Sequence, residues 1–119
     1  MVILRKAIIF LVLISCSTDK PPVTFYTQEE LVPVMVDLYV ATAALKDVDE
    51  IYKDSLIALY RGQIAKFHYV DMDKVDTDIG LLQKYPKIYK ELHEAVSDSI
   101  VQKEKRLSSA VTRSNKNRK

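Results

Sequence analysis

The stretch Thr27-Gln28-Glu29-Glu30-Leu31-Val32-Pro33-Val34-Met35-Val36-Asp37-Leu38-Tyr39-Val40-Ala41-Thr42-Ala43-Ala44-Leu45-Lys46 decides the fold. Its first four residues form a capping box. Thr27 can accept from the backbone N–H of Glu30, and Glu30 can reach back to the N–H of Thr27. Behind this start, Leu31, Val34, Met35, Leu38, Thr42 and Leu45 recur at three- and four-residue spacing, so the stretch reads as one helix with a continuous face. Val36 and Val40 lie on the other side, and Ala41, Ala43 and Ala44 add no polarity. A helix apolar nearly all round belongs at the centre of a bundle or carries a partner. Pro33 lies past the first turn, where it removes one hydrogen bond and is expected to kink the helix.

Downstream, Asp47-Val48-Asp49 is a break. A second helix is predicted from about Glu50 to His68, with Ile51 or Tyr52, Leu56, Leu59, Tyr60, Ile64 and Phe67 facing inward. Tyr69-Val70 is a short connection. Asp71 is a good N-cap for a third helix reaching about Lys84, with Val75, Ile79 and Leu82 inside. Pro86 suits the first position of a fourth helix, which Ile88, Tyr89, Leu92, Val96 and Ile100 carry to about Leu107. No Asn-Gly or Asp-Gly hairpin signal occurs, and the only glycines are Gly62 and Gly80. The expected fold is therefore all-α, a small bundle of three or four helices. Glycine-rich phosphate loops are excluded for want of glycine.

Upstream, Arg5 and Lys6 precede an unbroken apolar run from Ala7 to Ile14, closed by Ser15 and the only cysteine, Cys16. A charged start, an apolar run and a small-residue edge make a secretory signal. The run falls well short of the roughly 20 residues that span a bilayer. Leu13-Ile14-Ser15-Cys16 resembles a bacterial lipobox, which makes Cys16 the first mature residue and the site of a covalent lipid. Residues 1–15 are then a cleaved signal, and 104 residues remain, enough for one small domain. Its only thiol is consumed by lipid, so stability must come from packing. Residues 16–25 form a tether stiffened by Pro21-Pro22. Ser17 and Thr18 do not resemble an inner-membrane retention signal, and Asp19 is the only acid nearby, which argues against surface export. The expected location is the outer membrane, facing the periplasm.

Charge divides the rest. Residues 16–101 hold nine Lys/Arg and fifteen Asp/Glu, whereas residues 102–119 hold seven Lys/Arg and one Glu. Such a block of like charge is commonly solvated, so residues 108–119 are expected to be a disordered basic tail after a helical domain over residues 26–107. Anionic headgroups, lipopolysaccharide phosphates or an acidic protein would suit that tail. Nucleic acid is not an expected partner outside the cytoplasm.

Val36-Asp37-Leu38-Tyr39-Val40-Ala41, Ile64-Ala65-Lys66-Phe67-His68 and Ile88-Tyr89-Lys90-Glu91-Leu92 together resemble blocks of the DUF4296 family of small Bacteroidetes lipoproteins of unknown function. Val36-Asp37-Leu38-Tyr39-Val40-Ala41 is similar to a V-D-I-H-L-A pattern. Ile64-Ala65-Lys66-Phe67-His68, then Val75 and Ile79, then Pro86, follow a second family block, and Ile88-Tyr89-Lys90-Glu91-Leu92 a third. Tyr69 stands where the family usually has a helix-ending glycine, Tyr85 where it has a capping asparagine, and Pro33 where it has a polar residue. The resemblance implies a lipoprotein with a helical domain and brings no catalytic residues.

Few residues here suggest chemistry. Asp37 is the only acid between Glu30 and Asp47, on a helix expected to be buried, so it must find partners. It is a candidate contact for a ligand or partner, together with Tyr39 and Arg61. The alternative is a structural pair with Arg61, the only arginine between Arg5 and Arg106, or with a tyrosine hydroxyl. Asp71, Asp73, Asp76 and Asp78 lack the spacing, glycine and glutamate of a calcium loop, and read as a cap with solvated neighbours. His68 and His93 lie on different helices with no cysteine ligand, so no metal site is expected; His68 suits a helix end. No G-x-S-x-G elbow occurs, and the chain is not expected to be an enzyme or to need a cofactor. Tyr39, Tyr52, Tyr60, Tyr85 and Tyr89 read as core-edge packing. Asp54-Ser55-Leu56 and Asp98-Ser99-Ile100 resemble Bacteroidetes O-glycosylation triplets, which makes Ser55 and Ser99 candidate modification sites. The expected role is a non-enzymatic accessory module that binds an envelope protein through the first helix. The alternative is a carrier of an apolar or envelope-derived ligand held between the first and fourth helices.

Overall fold

The computed structural model describes residues 20–118; Cys16 and the expected signal over residues 1–15 lie outside that range. Four helices and no strands are found among the described residues: α1 (Gln28–Ala44), α2 (Glu50–His68), α3 (Met72–Leu82) and α4 (Pro86–Lys116). The fold is an all-α bundle, and its helix starts are those that the local signals predict. The capping box of α1 is complete, with Glu30 N–H donating to Thr27 Oγ1 at 3.2 Å and Thr27 N–H donating to Glu30 Oε2 at 2.8 Å. Asp71 caps α3 by accepting from Asp73 N–H, and Pro86 sits in the first turn of α4.

Helix α1 is the centre. It supplies Leu31, Val34, Met35 and Val36 to the core, more than any other helix, and packs against both α2 and α4. Ile64 from α2, Val75 and Leu82 from α3, and Leu92 and Val96 from α4 close around it. Val36 faces this core although the periodicity puts it on the opposite side, because two helices flank α1 and a single face does not serve both. The helix runs unbroken through Pro33, which is exposed, so the Glu29 carbonyl that loses its N–H partner can be hydrated.

Three expectations are corrected. First, the inner face of α2 is narrower than its periodicity suggests. Ile64 is buried and Leu56 and Tyr60 are half-buried, but Ile51, Tyr52, Leu59 and Phe67 are exposed. The reason is length. At about 1.5 Å per residue, the 11 residues of α3 run back along much less than the 19 of α2, so the start of α2 has no second neighbour, whereas Phe67, at its other end, lines an open groove between α1 and α4. Second, residues 108–116 are helical rather than disordered. They contain neither glycine nor proline, and extending an existing helix costs no new nucleation. Their side chains are nevertheless all exposed, so α4 leaves the bundle as a free arm. Third, Asp78 is fully buried rather than solvated. Its two carboxylate oxygens accept from the backbone N–H groups of Phe25 (2.9 Å) and Tyr26 (2.8 Å), which fixes the segment leading into α1 against α3.

Helix α2 ends on a left-handed residue, Tyr69, at φ 55° and ψ 43°. Val70 N–H donates to the Ala65 carbonyl and Tyr69 N–H to that of Lys66, the pattern of a Schellman cap. Glycine normally fills this position; a tyrosine with 95% of its surface exposed accepts a backbone cost of about 1–2 kcal/mol. The sharp turn delivers the chain into α3 and leaves His68 facing α1.

Candidate functional site

An open-sided groove of about 500 Å³ lies where the first half of α1, the end of α2 and the middle of α4 meet. Val32, Pro33 and Val36 form one wall, Phe67 and His68 the second, and Ser99, Gln102, Lys103 and Arg106 the third. Phe67 is 75% exposed, an unusual position for a large aromatic, and it lends the groove apolar surface. Arg106 is in no ion pair among the described residues.

Asp37 lies in the wall of this groove, as its place on α1 suggests, but Arg61 is not its partner. His68 Nε2 stands 2.7 Å from Asp37 Oδ2, and Lys103 Nζ 3.1 Å from Oδ1. One carboxylate thus joins three helices. An ionised carboxylate only accepts, so Nε2 of His68 carries the hydrogen of that bond. Burial opposes charge on Asp37. The hydrogen bonds from His68 and Lys103, with the charges on both, outweigh that effect and hold the carboxyl below the ordinary aspartate value.

That shift has a sign for stability. A carboxyl whose pKa is lower in the folded than in the unfolded chain contributes fully above its unfolded value, near 3.9, and loses the contribution as pH falls through the folded value. Asp37→Asn is therefore expected to cost about 1–2 kcal/mol at pH 7. The gap between wild type and variant should shrink below about pH 4. Urea unfolding of both chains across that range checks it; a gap independent of pH would show that the three-helix bridge does not hold in solution.

The other sequence candidates scatter. Arg61 pairs with Asp76, binding α2 to α3, and lines a smaller concavity of about 110 Å³ with Leu38, Ala41, Thr42, Leu45, Ile57 and Tyr60. Tyr39 is on another side of α1, its hydroxyl 3.4 Å from His93 Nδ1, with Tyr89 edge-on to the same imidazole. Burial and the neighbouring Tyr89 raise its hydroxyl above the ordinary tyrosine value. Ser55 is exposed in mid-α2. Ser99 is half-buried in the groove, and its hydroxyl donates to the Ala95 carbonyl at 2.9 Å. No group of three or more potential metal ligands occurs among the described residues.

Four groove residues escape the sequence reading: Phe67, placed in the core, His68, placed at a helix end, and Lys103 and Arg106, counted only in the basic block of residues 102–119. Periodicity shows that a residue recurs on a face; it does not show whether another helix covers that face. Arg106 stood in the charge block, where nothing separated it from its neighbours. Comparison with known proteins finds no matching family model, no similar curated protein and no similar solved structure. No described helix is long and apolar enough to cross a membrane.

Proposed function

We propose that the chain is a non-enzymatic interaction module of the cell envelope. In this reading a lipid on Cys16 holds it at the periplasmic face of the outer membrane, and the groove beside Asp37 docks a segment of an envelope protein. Membership in the DUF4296 family belongs to the same proposal and rests on the motif resemblance. The observation that carries the docking role is the pairing of exposed Phe67 with Arg106 in one groove. An apolar floor beside an unpaired guanidinium suits a segment that presents an apolar side chain and a carboxylate together. The remaining polar groups support binding over catalysis. Asp37 accepts from both His68 and Lys103, so these groups serve to hold three helices together. The partner surface is the groove rather than the whole of α1, whose middle is core.

A carrier role is the second reading, favoured by the groove volume, which falls in the range of small-molecule sites. One experiment separates them. Phe67→Glu and Arg106→Glu leave the core intact, and each is expected to lose a defined envelope protein that wild type retains with saturable affinity. Purification of both chains in mild detergent with lipid analysis tests the carrier: a stoichiometric amphiphile on wild type, lost in Phe67→Glu, would favour it. Equal retention of the same proteins and lipids by wild type and variants would overturn both.

A further inference from the structure

We infer that the free arm of α4 docks on the anionic phospholipid headgroups of the leaflet that holds the anchor. This inference rests on the reading of the chain as lipid-anchored at Cys16, and two observations point to it.

The first is charge held in register by a helix. Beyond Lys103, which is engaged with Asp37, the helix carries Lys105, Arg106, Arg113 and Lys116, none of them in an ion pair among the described residues. At 100° per residue Lys105, Arg113 and Lys116 fall within one side of the helix. That side lies away from the stripe continuing Leu92 and Val96, which the bundle covers. The basic side is thus turned from the protein's own body. Disordered lysines and arginines would offer the same charge at a greater ordering cost on binding.

The second is where the arm points. Antiparallel packing of α1 and α4 follows from their partners: Asp37 meets Lys103, whereas Tyr39, further along α1, meets His93, earlier in α4. As α4 proceeds past Lys103 it therefore travels toward the start of α1. The segment entering α1 is fixed at the same end, with Phe25 and Tyr26 on Asp78 and the Tyr26 hydroxyl accepting from Asp71 N–H. From Lys103 to Lys116 the arm adds about 20 Å in that direction. The chain that leads back to Cys16 and the basic arm leave the bundle at one end, so an anchored domain presents its arm to the lipid surface. An acidic protein would suit the charge equally but would not account for the shared end.

A basic side chain close to an anionic surface raises partition on the order of fivefold. The test uses residues 16–119 with Cys16→Ser. Removing the signal segment leaves the core, drawn from residues between Tyr26 and Ile100, complete. The chain is expected to co-sediment with vesicles of phosphatidylglycerol and phosphatidylcholine in equal parts, and not with phosphatidylcholine alone. The triple variant Lys105→Gln, Arg113→Gln, Lys116→Gln spares the groove and should partition on the order of a hundredfold less. Circular dichroism would establish that its helix persists. Binding to neither vesicle, equal binding to both, or wild-type partition of the triple variant overturns the inference. Because the tested chain has no lipid, the result is independent of acylation, which the mass of the native N-terminal peptide decides separately.

Discussion

Asp78→Ala is expected to destabilise the domain by about 3 kcal/mol and to release the segment before α1. The two amide hydrogens of Phe25 and Tyr26 point at one carboxylate that is itself almost wholly inaccessible, with 1% of its surface exposed. Alanine leaves both donors without a partner and removes charge-assisted bonds, each of which contributes more than a neutral one. Asn should do nearly as badly as Ala. Its oxygen can serve one amide, but its NH₂ group then faces the other, donor against donor. Glu would carry the right group on a stem one methylene too long for a buried site. Denaturant unfolding measures the cost, and hydrogen exchange at Phe25 and Tyr26 reports the release. A loss below about 1 kcal/mol, with both amides still protected, would show that the segment is held by other means.

That carboxylate also marks the limit of what the chain declares about itself. Thr27 with Glu30, Asp71 before its helix and Pro86 at the next start are local signals. Each works through bonds a few residues away, and each is found where it is expected. Asp78 acts across 52 and 53 residues; its spacing from Val75 and Leu82 puts it on the inner face of α3, unlike the exposed Asp73 and Asp76, but nothing near it in sequence names the amides it meets. The same holds for the groove. Asp37 stood out because an acid on an apolar helix needs partners, whereas its partners His68 and Lys103 come from 31 and 66 residues away. Phe67 failed for another reason. Its spacing from Ile64 and Tyr60 is that of a core residue, but its side of α2 looks into the open groove beside α1 and α4, where no helix covers it. Pattern shows which side of a helix is apolar, while the tertiary fold decides how much of that side is used. The groove occupies this difference, as a patch patterned for a core and left open.

Leu92→Ala should cost about 3 kcal/mol, a large part of the 5–15 kcal/mol that holds a typical domain together. Leu92 has no exposed surface, and Val96, one turn on, is the only other fully buried residue of α4. A helix of 31 residues is thus attached by a short patch in its first half, aided by the half-buried Ile88, Tyr89 and Ile100. Truncating Leu92 leaves a cavity in the core it shares with α1 and α3, whose close-packed surroundings collapse only in part. Deleting residues 108–119 should have the opposite character. It removes helical signal from circular dichroism but should lower stability by less than about 0.5 kcal/mol, because every described side chain lost is exposed. Urea denaturation of the two variants beside wild type makes the comparison. A cost above about 1 kcal/mol for the deletion would mean that Val111 and its neighbours pack on something in solution. If that cost rose with protein concentration, a second copy would be the partner and the arm would not be free for lipid. A cheap deletion together with a costly Leu92→Ala would place the stability of α4 in its first half and leave its second half to act outside the fold.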